Sequence, residues 1–441
     1  YAESFKSISY KNNITLNVKT LILGDQDNLF IGTDGDGLKV YNAVKNIIED
    51  YEVNAAPFDF SKSKVHSILK DRDKNLWLGI FQKGLILIPG AINKFDYYGY
   101  KSVKTNTIGS NCVMSIWRDN QGVTWVGTDN DGLYAVDDEG QQQKHFSNRN
   151  SSVPGTVMAI YGDSNNDLWL GSYTNGFAKM NKRTGQCEYI TSSFVNRPGS
   201  EKISCIAEDN DKYLWVGTYG TGIQRFNLET KQMTFFESTR EENADWTINR
   251  LPNDWINCII RGRDGLMWIG TYNGLACYNT EKQTFINYLN RNNLLPGYVV
   301  FSLLESSNGH IWIGTTQGLV RFNKSNEEFT YYTVSDGLPS EVICGLAEDE
   351  RGNVWISTHL GLSKLIVNQH KFVNYYAADG LQGNEFSRGA VFKDYKGKMY
   401  FGGTNGVTTF YPNEIMELQR DLRIMITEFY LASRAVRKGD K

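Results

Sequence analysis

One aromatic phrase recurs along the whole chain and constrains the fold more than any other feature. "NLWLG", "VTWVG", "DLWLG", "YLWVG", "LMWIG", "HIWIG" and "NVWIS" are the same phrase rewritten. Aligned on the central ring, the series is Phe30, Trp77, Trp125, Trp169, Trp215, Trp268, Trp312, Trp355 and Tyr400, with steps of 47, 48, 44, 46, 53, 44, 43 and 45 residues. A period in the forties is that of propeller blades or of helical arrays, and the pattern within one unit decides between them.

Each unit holds four short pieces. An apolar stretch such as "VMSIWRD" or "ISCIAED" meets an Asp/Asn/Gly turn, and the aromatic phrase follows. A Gly-bearing turn then leads to "GLYAVD" or "GLVRFN", and an aromatic pair such as "TFINY" or "EFTYY" closes the unit. Apolar and β-branched residues alternating between turn residues indicate strands, and nothing sustains a helical period over a dozen residues. The expected fold is all-β: a β-propeller of four-stranded antiparallel blades. The Trp suits the face between stacked sheets, and the Gly two residues beyond it suits close approach of a neighbouring strand.

Nine units leave two ways to close a ring. "SFKSISY" could complete a single nine-bladed ring. Alternatively "INKFDYYGY" (92–100) completes a seven-bladed ring built from 112–411, and the first two units remain from a preceding propeller. Propellers of 4–8 blades are usual, which favours seven plus two.

Composition narrows the function classes. Of 441 residues 13% are aromatic, and the net charge of -3 supplies no basic footprint for nucleic acid. No apolar run is long enough to span a bilayer as a helix. The chain starts at Tyr1 and reads as a piece of something longer. The six cysteines form no C-x-x-C pair and no His sits at ligand spacing, so neither a metal site nor a cofactor is expected. Cys112, Cys205, Cys258 and Cys344 fall in equivalent apolar strands and read as small buried side chains.

The unit "D-x-x-G-x-x-W-x-G-T-x-x-G-L-x-x-[YF]" resembles the two-component regulator propeller repeat of the periplasmic sensor regions of Bacteroides-type hybrid two-component regulators. "DGLQGNEFSRGAVFKDYKGKMYFGGTNGVTTFYPNEI" (379–415) is similar to the last blade of the second propeller in such sensors, and "RIMITEFYLASRAVRKGDK" (423–441) to the first strands of the immunoglobulin-like domain after it. The resemblance implies two blades of a preceding propeller over 1–93, a seven-bladed propeller over 94–412, and a linker with the opening of an immunoglobulin-like domain over 413–441. It also implies an extracytoplasmic domain of a membrane-anchored histidine kinase/response regulator, the periplasmic part of an inner-membrane protein. Such a sensor takes oligosaccharides from glycan breakdown, signals through a homodimer and controls polysaccharide-utilisation genes. Phe30, Tyr400, Ile80 and Ser357 depart from the repeat and read as tolerated variation.

Candidate ligand residues follow from the architecture. In a propeller the turns between second and third strands, and the connections between blades, emerge together around the channel mouth. The turns offer Tyr173, Tyr219, Tyr272 and His359. The connections offer Trp246, Arg250, Asp254 and Trp255 on the longest loop, then Tyr298, Asn384 and Arg388. Aromatic faces stack on sugar C–H surfaces and planar polar groups bind hydroxyl pairs, while an arginine suits a carboxylate or sulfate. A protein-interaction scaffold is an alternative reading. A propeller hydrolase or lyase is another, but only His359 of the five histidines falls at the channel mouth and no nucleophile elbow or metalloprotease motif occurs. The repeated "D-x-D/N" turns read as hairpin chemistry.

Overall fold

The computed structural model describes residues 8, 10, 15–24, 28–51, 60–71, 75–88, 95–99, 108–109, 112–138, 140, 142–190, 199–238, 249–288, 299–415, 429–431 and 434–436. Within them the chain forms eight four-stranded sheets, one three-stranded sheet and one two-stranded hairpin, and helix is confined to single 3-10 turns. Within the blade-like sheets the strands pair antiparallel with their neighbours in chain order, except for one sheet whose fourth strand comes from upstream.

The repeated phrase folds this way because each of its residues has a separate task. The Trp side chains of 125, 169, 215, 268, 312 and 355 are at most 2% exposed, packed between one sheet and the next. A Cβ on Gly127 would stand 2.3 Å from Ser115 Oγ and 2.7 Å from the Val157 carbonyl of the next sheet, so only glycine fits there. The Thr after the Gly donates its hydroxyl to the turn-glycine carbonyl: Thr128 to Gly132 (2.9 Å), Thr218 to Gly222 (2.8 Å), Thr315 to Gly318 (2.9 Å). Six residues before the Trp, an Asp closes the preceding hairpin. Asp163 accepts from the Asn165 and Asp167 amides through Oδ1 (3.0 and 2.8 Å), and from Trp169 Nε1 through Oδ2 (2.8 Å). Asp119, Asp209 and Asp349 repeat this, so the "D-x-D/N" turns are hairpin locks. Gly262 stands where the Asp would be in one unit, and there Trp268 Nε1 is buried without a hydrogen-bond partner.

One departure from the repeat has a compensating partner. Where the other sheets carry Gly on the second strand against a small residue on the first, Ser357 faces Gly345, and a Cβ on Gly345 would lie 2.9 Å from Ser357 Oγ. The small residue and the glycine have exchanged strands, and the volume between the sheets is kept.

Seven sheets form a ring, named here blades I to VII. Their first strands are Val113–Arg118, Val157–Gly162, Ile203–Glu208, Ile256–Arg261, Val300–Glu305, Ile343–Glu348 and Phe386–Lys393. Each contacts the next, and the seventh contacts the first. Blade VII takes its fourth strand from Asp96–Tyr98, which pairs with Gly406–Phe410. Tyr98 is 2% exposed, donates to the Asp138 carbonyl of blade I (3.2 Å) and receives the Lys398 ammonium (3.0 Å). The buried Arg118 of blade I meets Asp394 of blade VII at 3.4 Å, which ties the closure a second time. The "SFKSISY" strand of the other closure lies outside the described residues apart from Ile8 and Tyr10, and the buried Tyr10 donates to Asp50 Oδ1 of the first sheet (2.6 Å).

A central cavity of about 450 Å³ runs along the axis, lined by all seven first strands. Its waist is aliphatic, with Ile116, Ile160, Ile206, Ile259, Leu303, Leu346 and Val391 at one register position. The two sheets before the ring, one from Val18–Leu23 to Ile47–Asp50 and one from Val65–Lys70 to Gly84–Ile88, pack on each other through Leu38, Val65 and Leu78.

Candidate functional site

Inter-blade hydrogen bonds build the mouth of the ring. The glycine amide in the turn between second and third strands donates to a carbonyl in the connection entering the next blade. The pairs are Gly176 to Glu201 (3.0 Å), Gly222 to Asp254 (3.0 Å), Gly318 to Glu341 (2.8 Å) and Gly361 to Asn384 (2.6 Å). Turns and connections therefore alternate around one rim.

On blades III and IV this rim carries three aromatic rings in a row. Tyr219 bridges to Trp255 through the backbone, and their rings lie 5.7 Å apart; Trp255 and Tyr272 follow at 6.0 Å. Trp255 is 50% and Tyr272 54% exposed, whereas Tyr219 is largely covered and burial pushes its phenol up to about 12. An exposed indole between two phenols is a shelf for a flat, partly apolar ligand face. Tyr173 stands on the same rim, with the Lys202 ammonium 5.4 Å above its ring.

Across the mouth, blade VII departs from its neighbours. In the other blades the first strand holds one surplus residue, as where Ile256 and Cys258 oppose the consecutive Thr271 and Gly270. In blade VII the strand advances five residues, Phe386 to Val391, while its partner advances two, Gly403 to Phe401. Gly389, with φ +72°, makes this larger bulge possible. The bulge carries the first strand of blade VII into contact with that of blade V, past blade VI. At its tip the exposed Arg388 guanidinium lies 3.7 Å from the centre of the Phe301 ring of blade V. No carboxylate lies within 4 Å of it among the described residues. The charge of Arg388 is felt at Tyr219 and at His359, whose imidazole pKa is lowered by burial and by that guanidinium, with Glu385 opposing.

The remaining sequence candidates have other tasks or other places. Asp254 accepts from the Ser238 amide (2.6 Å) and Asn384 from the Ala377 amide (2.8 Å), so both side chains hold the connections in shape. Arg250 accepts from Asn287 through its carbonyl (2.9 Å), beside the outermost strand of blade IV. Trp246 and Tyr298 lie outside the described residues. Phe301, Glu385 and Lys202 were not legible as mouth residues. The available signal for Phe301 was a large ring at a register position that holds Ser204, Asn257 and Cys344 in blades III, IV and VI. All six cysteines are free thiols, and burial raises those of Cys205 and Cys344 to about 12, away from reactivity.

Residues 198–220, 250–273, 294–317 and 337–359 match the two component regulator propeller family. Four segments of the ring are thus similar to two component regulator propeller repeats, on a propeller fold. Among solved structures it is similar to the extracellular domain of a protein from B. thetaiotaomicron assigned as the hybrid two component system BT3049. That match has 22% identity and a TM-score of 0.75, and covers 96% of this chain and 56% of that one. A second such domain from the same organism, BT4673, is assigned to a hybrid two component system in one structure and to a one component system in another; it matches at 20% identity and a TM-score of 0.59, covering 95% and 56%. The chain therefore spans little more than half the length of these domains. Virginiamycin B lyase from Staphylococcus aureus shares the fold at 14% identity and a TM-score of 0.56, covering 72% of this chain and 98% of the lyase. Comparison with curated proteins returns no match. Among the described residues no helix is long and apolar enough to cross a membrane.

Proposed function

We propose that this chain is the ligand-sensing part of a hybrid two-component system, facing the periplasm and non-catalytic, with an oligosaccharide from glycan breakdown bound at the mouth of the seven-bladed ring. Residues 1–93 are then the end of a preceding propeller, and 413–441 lead into an immunoglobulin-like domain. The observation that carries the reading is the Tyr219–Trp255–Tyr272 row, with Trp255 and Tyr272 exposed, on repeats matching the two component regulator propeller family. Signalling in the full protein runs through a homodimer to a histidine kinase and to polysaccharide-utilisation genes. A ligand moves such an equilibrium only by binding two arrangements unequally.

Thermal unfolding against neutral, acidic and sulfated oligosaccharides tests this reading. A sugar present at a hundred times its dissociation constant adds about 2.7 kcal/mol, a shift of a few degrees in a chain of this size. One selective hit, lost in Trp255→Ala, is the expected result. Turnover of any sugar in the panel would turn the assignment toward an enzyme.

A further inference from the structure

Among the described residues Arg388 forms no ion pair, although it stands at the mouth of the ring on an aromatic face. The three surplus residues of the blade VII bulge carry it over the mouth, and a Phe301 ring holds its guanidinium by a face contact that leaves the in-plane N–H donors free. A guanidinium so held presents a flat fork, which matches an oxyanion better than a lone hydroxyl. Arg388 acts electrostatically on Tyr219, the first ring of the aromatic shelf on the same mouth. Glu385, three residues before Arg388 and also exposed, acts electrostatically on His359 and Cys344 in the sense opposite to Arg388. That carboxylate disfavours a dense polyanion and offers acceptors for sugar hydroxyls.

We infer that the mouth selects an acidic oligosaccharide, with one isolated anionic group in the fork of Arg388 and an adjoining sugar ring on Trp255. This rests on the sugar-sensing reading above and adds the chemical class. A uronate carboxylate and a single sulfate ester present the same oxyanion chemistry, and the arms of the test separate them.

The experiment is calorimetric titration of the chain with matched pairs: uronate tetrasaccharides against their methyl esters, and singly sulfated galactan tetrasaccharides against their desulfated forms. Esterification or desulfation removes the charge and keeps the rings. The acid member of at least one pair is expected to bind about 10- to 100-fold more tightly than its neutral partner, the difference a charge-assisted bidentate contact makes. Arg388→Gln should abolish that difference, weakening the acid member far more than its neutral partner. Arg388→Lys, which keeps the charge and loses the fork, should recover only part of it. Arg388 is exposed, so an unchanged melting temperature checks that both variants fold. Binding of neutral sugars with no dependence on Arg388 would overturn this inference and leave the sensing reading standing. Preference for a heavily sulfated chain would also overturn it. Failure of every sugar to bind would remove both.

Discussion

The two sheets before the ring and the seven within it are written in the same repeat, yet they are buried to different depths. Leu21 pairs with Ile31 as Ile160 pairs with Leu170, but Leu21 is 58% exposed and Ile160 only 7%. Trp77 is half-buried, whereas Trp215 and Trp355 are inaccessible. Leu69, Leu85 and Leu87 of the early sheets are likewise exposed. The large exposed side chains on the ring include Tyr173, Trp255 and Tyr272, gathered at one mouth. A blade's strands and hairpins are specified locally, but its burial comes from the blades on either side. Exposed aliphatics on the early sheets lie on faces that no neighbouring blade covers among the described residues, while the exposed aromatics on the ring gather at its mouth.

The largest effect should come from removing a tryptophan in each region. Trp215→Ala empties a packed interface and takes one donor from Asp209, so it should cost about 3–5 kcal/mol in urea unfolding. Trp77→Ala should cost less than half as much. Equal losses would break the comparison.

Next in size is the exchanged pair of blade VI. Gly345→Ser places a side chain against Ser357 and Val391, at an expected cost of about 1–3 kcal/mol. Adding Ser357→Gly restores the arrangement of the other blades and should recover most of that loss; simple additivity of the two changes would refute the exchange.

A smaller effect concerns acid. Burial raises the pKa of Asp119, but the Trp125 indole, the Val123 amide and Lys182 outweigh it and hold the carboxyl below its usual value. Its folded-state pKa is thus depressed, so its contribution is present above the unfolded pKa of about 4 and is lost as pH falls through the folded value. Asp119→Asn should flatten the fall in stability below about pH 4. The smallest expected change is a gain: Gly262→Asp gives Trp268 Nε1 an acceptor and should add about 1 kcal/mol. A loss there would mean that the Asp264 side chain, 2.5 Å from the new Cβ, cannot move aside.

Much of this was legible because the repeat states it many times. The Trp, Gly, Thr and turn residues announce strands, spacing and the face between sheets, and the Asp locks were visible as turn chemistry. What could not be read depends on pairs distant in sequence. The exchange of Gly345 with Ser357 is a cross-strand fact, and the reach of Arg388 to Phe301 depends on a bulge whose size is set by pairing with Phe401 and Gly403. Position on a loop also misled. Arg250 and Trp255 stand five residues apart on one connection, but the first lies by an outer strand and the second on the mouth.

The central claim is that this mouth binds a sugar on Trp255. Tryptophan fluorescence titration with the best oligosaccharide from the unfolding panel, in the native chain and in Trp255→Phe, tests it most directly. A saturable change in the native chain that disappears in the variant is the predicted result. The same saturable change in both proteins would place the ligand elsewhere and contradict the account.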